Sequence, residues 1–443
     1  MRFIDPVDLL SHEEVEETIN CPLLEKQLTR VVATSEFYRE KIERSGLSLQ
    51  EASRRDRFHE WPFTTKSEIL EEQVLHPPYG RLAMSRDNVV RVHMTSGTTG
   101  RPLYIAFTAF DVAANLTSGR RAFLCAGLRP EDSVVHCLNY CLWAGGLTDH
   151  MSLEGTGAAV IPFGVGHTMR LIEMIRELQP TSISCTPSYM ARLEVVLKDE
   201  FGLMPRDLGL KKGFFGGEGG LQDPAVRALL EHTWGIQAID ANYGMADVLS
   251  IFGAECEHRT GLHFHGRGLL HVELIDPDSG AVLPFRSGQE GEMVLTNLIR
   301  EAQPLVRYRS GDIVRIAAND RCPCGRSSFR FVVIGRADQM VVVQGINVYA
   351  SAVKGLLARH HGRFGGAFEI VLESPPPIRS PLIRAERSES SSLCDDPANA
   401  VFLVNACRNE LQFTPRVELV QHGGLSRTEG KTRYIRRAYE EGD

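Results

Sequence analysis

The chain has 443 residues, 43% hydrophobic and 24% charged, a globular composition in a length beyond what one core supports, so two or more structural units are expected. Its formal net charge of -7, from 49 basic and 56 acidic side chains with no long block of either sign, argues against nucleic acid, whose phosphates call for clustered Lys and Arg. No run approaches the roughly 18 apolar residues of a membrane span. The stretch from Met1 to Pro6 lacks an apolar signal core, and the ten scattered cysteines read as cytoplasmic thiols rather than a disulfide framework.

In chain order, residues 22–45 place Leu24, Leu28, Val31, Val32, Tyr38 and Ile42 at helical spacing, which predicts a helix closed by Gly46. A turn-rich stretch follows at Trp61–Lys66. Gly157–Pro162 reads as a buried strand, and Thr168 is placed to cap a helix bearing Leu171, Ile172, Ile175 and Leu178. Thr181–Thr186 is the next strand, followed by a helix through Tyr189, Leu193 and Val196. The strand Lys212–Phe215, a helix from Pro224 to Trp234 and a strand at Ile236–Ile239 continue the alternation. Short apolar runs alternating with amphipathic helices predict a parallel, doubly wound α/β sheet, in which ligands bind beyond the carboxyl ends of the strands. Those ends carry Gly216-Gly217-Glu218 and Asn242-Tyr243-Gly244, which makes both segments site candidates. From about residue 266 the texture is β-rich, with a hairpin expected from Leu269–Ile275 and Gly291–Thr296 around the turn Asp276–Gly280. Beyond Gly335-Arg336-Ala337-Asp338 about 100 residues remain, enough for a small second domain. Within it, 374–400 is rich in Pro, Ser and charge and is expected to be a surface loop or a poorly ordered segment. There is no internal repeat.

The sharpest local signal is Thr95-Ser96-Gly97-Thr98-Thr99-Gly100-Arg101-Pro102. Two glycines let the backbone approach an anion closely, and the hydroxyls can donate to phosphate oxygens. It lacks the ending of a Walker A loop. Taken alone, a flexible hydroxyl-rich loop explains it equally well.

The octet resembles the phosphate-binding loop of the adenylate-forming superfamily, which holds acyl-CoA synthetases, peptide-synthetase adenylation domains and luciferases. Five further segments match in order. Phe215-Gly216-Gly217-Glu218 resembles the adenine-binding turn, and Tyr243-Gly244-Met245-Ala246-Asp247 the aromatic-glycine-x-x-acid motif. Tyr308-Arg309-Ser310-Gly311-Asp312 is similar to the segment whose Asp holds the ribose, and Gly335–Asp338 to the hinge. Gly424–Lys431 resembles the loop that carries the adenylation lysine. Phe37-Tyr38, Pro62–Lys66, Cys256, Gly261-Leu262-His263 and Cys322-Pro323-Cys324-Gly325 match the phenylacetate–CoA ligase-like branch.

The resemblance implies a large N-terminal domain over 1–337, with a doubly wound sheet and a β-rich subdomain. A small mobile α+β domain over 338–443 would carry the lysine and pivot at Asp338. It implies that Thr95, Ser96, Gly97, Thr98, Thr99 and Gly100 hold the ATP phosphates, with Gly217, Glu218, Asn242, Tyr243 and Gly244 around the nucleotide. Asp312 and Arg336 would fix ribose and phosphate, Asp247 would bind Mg²⁺, and Lys431 would serve the adenylation step. Gly345, in Val343–Ile346, belongs to the face presented to coenzyme A. Tyr140, Trp143, Gly145 and Gly216 are expected in the acid pocket, with the two aromatics able to stack on an aromatic acid or to be plain core.

Cys256, His263, Cys322 and Cys324 form a complete Cys₃His set for a structural Zn²⁺, with His258 and His265 as competing ligands. Four positions depart from the family pattern: Asp247 for Glu, Arg101 for Lys, Gln344 for Arg and Ala350 for Pro. The missing cation at 344 weakens the case for binding coenzyme A phosphate, so adenylation is the better-supported half-reaction. The leading expectation is an aryl-acid–CoA ligase that uses ATP and Mg²⁺. The alternatives pass the adenylate to a carrier-protein thiol or an amine, or make the chain a non-catalytic nucleotide binder. Neither nucleic acid nor membrane is an expected partner, and a homodimer is among the expected assemblies.

Overall fold

The computed structural model describes residues 4–82, 86–95, 102–219, 221–337, 340–344, 346–375, 378–425 and 434–440. The helix expected across 22–45 is two helices, Cys21–Thr34 and Glu36–Ser45. Ser35 breaks it by turning extended (φ -102°, ψ 112°), and its hydroxyl accepts from Tyr38 N to cap the second helix. Gly46, at φ 83°, closes that helix in the left-handed conformation. The next helix, Lys66–Leu75, starts on a capping box in which Thr65 and Glu68 satisfy each other's backbone N–H.

Two compact units contain the chain: Met1–Cys185, Gly209–Gly217 and Ile239–Val332 in the first, and Thr186–Leu208, Glu218–Ala238 and Val333–Asp443 in the second. An 11-stranded sheet organises the fold. Its parallel portion pairs Ala159–Pro162 with Ser133–His136, then Ser182–Cys185, then Lys212–Gly216. Helices Ala144–Glu154, Thr168–Leu178, Pro187–Val196 and Pro224–Trp234 alternate with these strands, as the periodicity predicts. Thr168 is the first residue of its helix, not its cap; His167 holds the cap position without a side-chain bond.

The sheet then changes character. Strand Gln237–Met245 outruns the predicted 236–239 and returns as Leu249–Glu255 through three residues, a connection too short for a parallel crossover, so the pairing turns antiparallel. The sheet continues through Leu262–Phe264, Arg330–Arg336, Tyr308–Ala318, Glu290–Asn297 and Leu270–Ile275. The last two are the expected hairpin, its turn held by Asp276 Oδ1 accepting from Ser279 N at 2.8 Å.

The N-terminal motif residues buttress this β-rich half. Thr64 Oγ1 donates to Val306 O at 2.8 Å, Arg309 N donates to Thr64 O at 2.9 Å, and Tyr38 Oη accepts from Val306 N at 2.9 Å. They brace the start of the strand Tyr308–Ala318.

In the second unit a four-stranded sheet runs in the order Arg416–Val420, Leu382–Arg387, Phe364–Leu372, Ile435–Arg437. Helices Ala350–Arg359 and Asp396–Leu411 join it around a core that includes Val353, Leu356, Phe368, Ile370, Ile383 and Leu403. This corrects the loop expected over 374–400. Leu382–Arg387 is an inner strand with Ile383 and Ala385 buried, and a helix begins at Asp396, because two apolar residues at strand spacing outweigh the polar composition around them. Among the described residues no helix is long and apolar enough to cross a membrane.

Candidate active site

The phosphate-loop motif starts from a strand pair, Arg91–Met94 with Tyr104–Phe107. Thr95 clasps its base: Thr95 N donates to Leu103 O at 3.0 Å, and Leu103 N donates to Thr95 Oγ1 at 3.1 Å. Residues Ser96–Arg101 lie outside the described residues, as do Asp338, Gly345 and Lys431.

Between the strands of the antiparallel half lies a contact that sequence reasoning missed. Tyr308 Oη donates to Asp247 Oδ2 at 2.5 Å, and Tyr243 Oη donates to Asp312 Oδ2 at 2.7 Å. Each of two motifs contributes a Tyr and an Asp four residues later, and the two exchange phenol–carboxylate bonds in opposite directions. The equal Tyr-x-x-x-Asp spacing was the available signal. The Tyr243 ring is held at its edge by Phe252 and Phe331, at centroid distances of 5.1 and 5.2 Å. Asp247 is further positioned through its backbone. Buried Arg300 donates through Nη1 to Asp247 O at 2.8 Å and Val248 O at 3.1 Å, and its guanidinium lies 4.8 Å over the Phe107 ring. Burial lowers the Arg300 pKa, opposed by Asp111 and Asp247. Arg300 is a second residue that the sequence reading missed, and nothing local marks it.

Two glycines are required by close approach. A Cβ at Gly216 would lie 2.4 Å from Asn242 Cβ and O, and one at Gly244 would lie 2.1 Å from Ser250 O, so at the ends of strands 212–216 and 237–245 neighbouring strands leave no room for a side chain. Gly217 follows directly in the turn. The Asn242 amide Nδ2 donates to Asp149 Oδ2 on the helix Ala144–Glu154. In the second unit, Glu218 accepts from the Ser188 hydroxyl at 2.7 Å, and Arg336 ends the strand Arg330–Arg336. Gln344 sits at φ 52° beyond strand Met340–Val343, its amide donating to Arg379 O at 3.3 Å, and Ala350 opens the helix Ala350–Arg359.

The expected acid-pocket residues Tyr140, Trp143 and Gly145 lie at the entry to the helix Ala144–Glu154. Trp143 is its N-cap residue, and Tyr140 Oη is 3.1 Å from His150 Nδ1. Beneath them His136 Nε2 is 3.0 Å from Gly145 O, its Nδ1 is 3.2 Å from Ser184 Oγ, and burial pushes the imidazole down to about 4, so it is neutral at pH 7.

A separate cluster unites Cys256, His263, Cys322 and Cys324, all buried, with ligand atoms within 4.8 Å of one another. Cys256 Sγ and Cys322 Sγ are 3.8 Å apart, and Cys324 Sγ and His263 Nε2 are 3.6 Å apart. Metal–sulfur bonds of about 2.3 Å and metal–nitrogen bonds of about 2.0 Å at tetrahedral angles require edges of about 3.8 and 3.5 Å. His263 Nδ1 is 3.0 Å from Ser328 Oγ, which turns Nε2 toward the thiols. Burial acts to lower the His263 pKa, but hydrogen bonds to Cys322 and Cys324 outweigh it and raise the value. Cys324 is driven low by its hydrogen bond with Cys256, against burial, and by His263. These pulls favour thiolate at Cys324, while the same hydrogen bond raises the Cys256 thiol. Of the two competing histidines, His258 pairs with Glu257 at 3.6 Å and His265 is buried beside the cluster, and neither joins the set of four.

The family model described as AMP-binding enzyme matches residues 11–298. The phenylacetate-coenzyme A ligase of Pseudomonas putida is 31% identical over 403 residues, covering 90% of this chain and 89% of its own. The phenylacetate-coenzyme A ligase of Thermus thermophilus is 33% identical over 342 residues, covering 76% and 74%. A crystal structure of 2-hydroxyisobutyryl-CoA ligase in the postadenylation state, in complex with R3-HIB-AMP, superposes with TM-score 0.89 at 27% identity, covering 99% of this chain and 94% of that one. The chain belongs to the AMP-binding enzyme family. Within it, it falls in the phenylacetate–CoA ligase-like branch and is an AMP-forming acid–thiol ligase.

Proposed function

We propose that this protein activates an aromatic carboxylic acid with ATP and passes the acyl group from the adenylate to coenzyme A. The observation that carries the reading is the double Tyr–Asp clip, which ties Asp247 and Asp312 to each other's motifs at the carboxyl end of the strand Gln237–Met245, where Asn242–Gly244 lie. A carboxylate oxygen attacks the α-phosphorus and pyrophosphate leaves; the thiol sulfur then attacks the acyl carbon and AMP leaves. Residues 95–100 hold the β- and γ-phosphates, Gly216–Glu218 and Asn242–Gly244 bracket the base, and Asp312 with Arg336 fixes ribose and phosphate. Lys431 stands as a cation between the attacking carboxylate and the α-phosphate, where like charges otherwise repel.

Mg²⁺, when bound, spreads the phosphate charge. Asp247 fits as its ligand: Oδ2 is committed to Tyr308, Oδ1 remains, and one carboxylate with phosphate oxygens suits this ion. The boundary between a domain over 1–337 and a lid over 338–443 falls at the pivot Asp338, and rotation of the lid exchanges Lys431 for the face around Gly345. Tyr140 and Trp143, beside Gly145, favour an aromatic acid. The Cys₃His cluster is a structural Zn²⁺ site, supported by two edges of tetrahedral length and by a ligand set filled wholly by protein. Ten free thiols favour the cytoplasm.

The test is pyrophosphate release with ATP and Mg²⁺ over a panel of aromatic and aliphatic acids, with and without coenzyme A. Turnover that needs an aryl acid and is stimulated by coenzyme A is the expected outcome. Adenylation indifferent to coenzyme A would move the acceptor to a carrier-protein thiol or an amine, and silence with every acid would leave a nucleotide binder.

A further inference from the structure

In the second unit the chain on either side of Lys431 is fastened to one sheet. On the entry side Leu425 N donates to Glu386 Oε1 at 3.0 Å. Glu386 is fully buried on the inner strand Leu382–Arg387, where a carboxylate is retained only with partners. His422 fits beside it because residue 365 is glycine; a Cβ there would lie 2.8 Å from both His422 Nδ1 and Arg387 O. On the exit side Ile370 N donates to Tyr434 O at 2.7 Å, and the Tyr434 ring stacks on Phe368, with centroids 4.8 Å apart and planes at 21°. The strands that receive the two ends, Leu382–Arg387 and Phe364–Leu372, are neighbours in the four-stranded sheet.

One cation reaches from the exit side to the nucleotide motif. Lys354, half-buried on the helix Ala350–Arg359, places Nζ 5.6 Å from the centre of the Tyr434 ring and donates to Gly219 O at 3.0 Å. Gly219 directly follows Gly216-Gly217-Glu218. Burial acts to lower the Lys354 pKa, but Tyr434 and Glu218 outweigh it and raise the value, so the ammonium is charged at pH 7. The helix is seated on the same stretch of chain at two further points. Arg359 Nη1 meets Asp223 Oδ2 at 3.3 Å, and a side chain in place of Gly355 would collide with that carboxylate. Asp223 in turn caps the helix Pro224–Trp234, accepting from Ala225 N and Val226 N through Oδ1. Arg359 and Gly355 thus seat the helix, while Lys354 joins that seat to the exit of the lysine segment.

We propose that Lys354 is a positioning residue for acyl-adenylate formation: it ties the exit of the lysine segment to the turn Gly217–Gly219, so that Lys431 and the bound base keep a fixed spacing while the carboxylate attacks. The inference rests on the roles given above to Lys431, Gly217 and Glu218. The tie ends on a backbone carbonyl, so it constrains position without placing a charge at the reacting atoms. A displacement of about 1 Å between groups that must meet in a transition state can cost on the order of 100-fold in rate. In the thiol step Lys431 is withdrawn, so thioester formation does not draw on the tie.

The test uses the full-length protein in two separate assays: ATP–pyrophosphate exchange with the acid that gives the strongest wild-type signal, and thioester formation from the supplied acyl-adenylate of that acid with coenzyme A. Lys354→Met, which keeps the aliphatic stem and removes the cation, should lower the exchange kcat by about tenfold or more with KM for the acid unchanged, and leave thioester formation within about twofold. Lys354→Arg, still able to donate to Gly219 O, should recover most of the exchange rate. Arg359→Met loosens the seat of the same helix without removing that bond, and should lower exchange by no more than about threefold. Exchange by Lys354→Met at the wild-type rate would overturn the proposal. Equal losses in both assays would do the same, as would a loss in Arg359→Met as large as that in Lys354→Met, since either reduces Lys354 to a support of the helix. A wild type silent in exchange with every acid, or exchange that survives Lys431→Ala, would instead remove the reading on which the proposal stands.

Discussion

Asp247 and Asp312 are each held by a phenol donated from the other's motif, so neither carboxylate is free to choose its own orientation. Replacing Tyr308 by Phe would leave a buried carboxylate oxygen short of its donor, a loss of about 1–3 kcal/mol. If Asp247 holds Mg²⁺, the Tyr308→Phe protein should need more Mg²⁺ for half-maximal exchange and lose roughly 10-fold to 100-fold in kcat, with KM for ATP little changed. Tyr243→Phe should do the reverse, raising KM for ATP through Asp312 with kcat less affected. Mg²⁺ and ATP titrations of the exchange reaction separate the two, and identical behaviour would deny the carboxylates distinct roles. Lys431→Ala should abolish adenylation while leaving thioester formation from a supplied acyl-adenylate largely intact. Equal loss of both half-reactions would contradict its place in the first step alone. These assignments were legible in the sequence as motifs in order. The phenol donors were not, because a hydrogen bond between positions 61 and 69 residues apart depends on strand register, and no local pattern encodes that.

Elements in this protein are set by caps and breaks as much as by apolar periodicity. Ser35 splits a stretch whose helical spacing runs unbroken through 22–45, since its hydroxyl serves the next helix better as a cap than as an interior residue. Thr64 does comparable work between elements, joining the segment before the helix Lys66–Leu75 to Val306 and Arg307. Thr64→Val keeps the shape but leaves the Val306 carbonyl without that donor, and a cost of about 1–2 kcal/mol should lower Tm by roughly 2–4 °C for each kcal/mol. An unchanged Tm would show that the brace contributes nothing. The Cys₃His cluster ties strands Leu249–Glu255 and Leu262–Phe264 to residues 322–324. Elemental analysis should find one Zn²⁺ per chain, and Cys324→Ala should lose it together with several kcal/mol of stability. A metal-free protein of undiminished Tm would reduce the cluster to four buried side chains.

At the scale of the whole molecule, the N-terminal segment is fastened to strands some 250 residues away. Arg267 Nη2 donates to Leu10 O and Ser11 O at 2.6 and 2.7 Å, and Glu16 Oε2 meets His271 Nδ1 at 2.9 Å. Burial acts to lower the His271 pKa and to raise that of Glu16, but their mutual hydrogen bond outweighs it, raising His271 and lowering Glu16. The signs follow. Stability from His271 is fully present below its unfolded value near 6.5 and is lost as pH rises through the raised folded value. Stability from Glu16 is present above its unfolded value near 4.5 and is lost as pH falls through the lowered one. The Tm difference between the wild type and His271→Gln should therefore be greatest near pH 6 and shrink toward alkaline pH; a difference that is flat with pH would mean the pair is not ionised.

The sequence by itself determined the parts that local chemistry controls. Alternating strands and helices from 157 to 239 and the hairpin around Asp276–Gly280 follow from side-chain periodicity and turn residues, which neighbours along the chain decide. The tertiary structure alone decided which distant groups meet. The crossed Tyr–Asp bonds, Arg300 beneath Asp247, the choice of His263 over His258 and His265, and the meeting of Asp149 with Asn242 depend on strand register and helix placement. Local misreadings have the same origin. The strand Leu382–Arg387 was hidden by polar composition and emerged because Ile383 and Ala385 found a core to enter, a gain that no window of sequence contains.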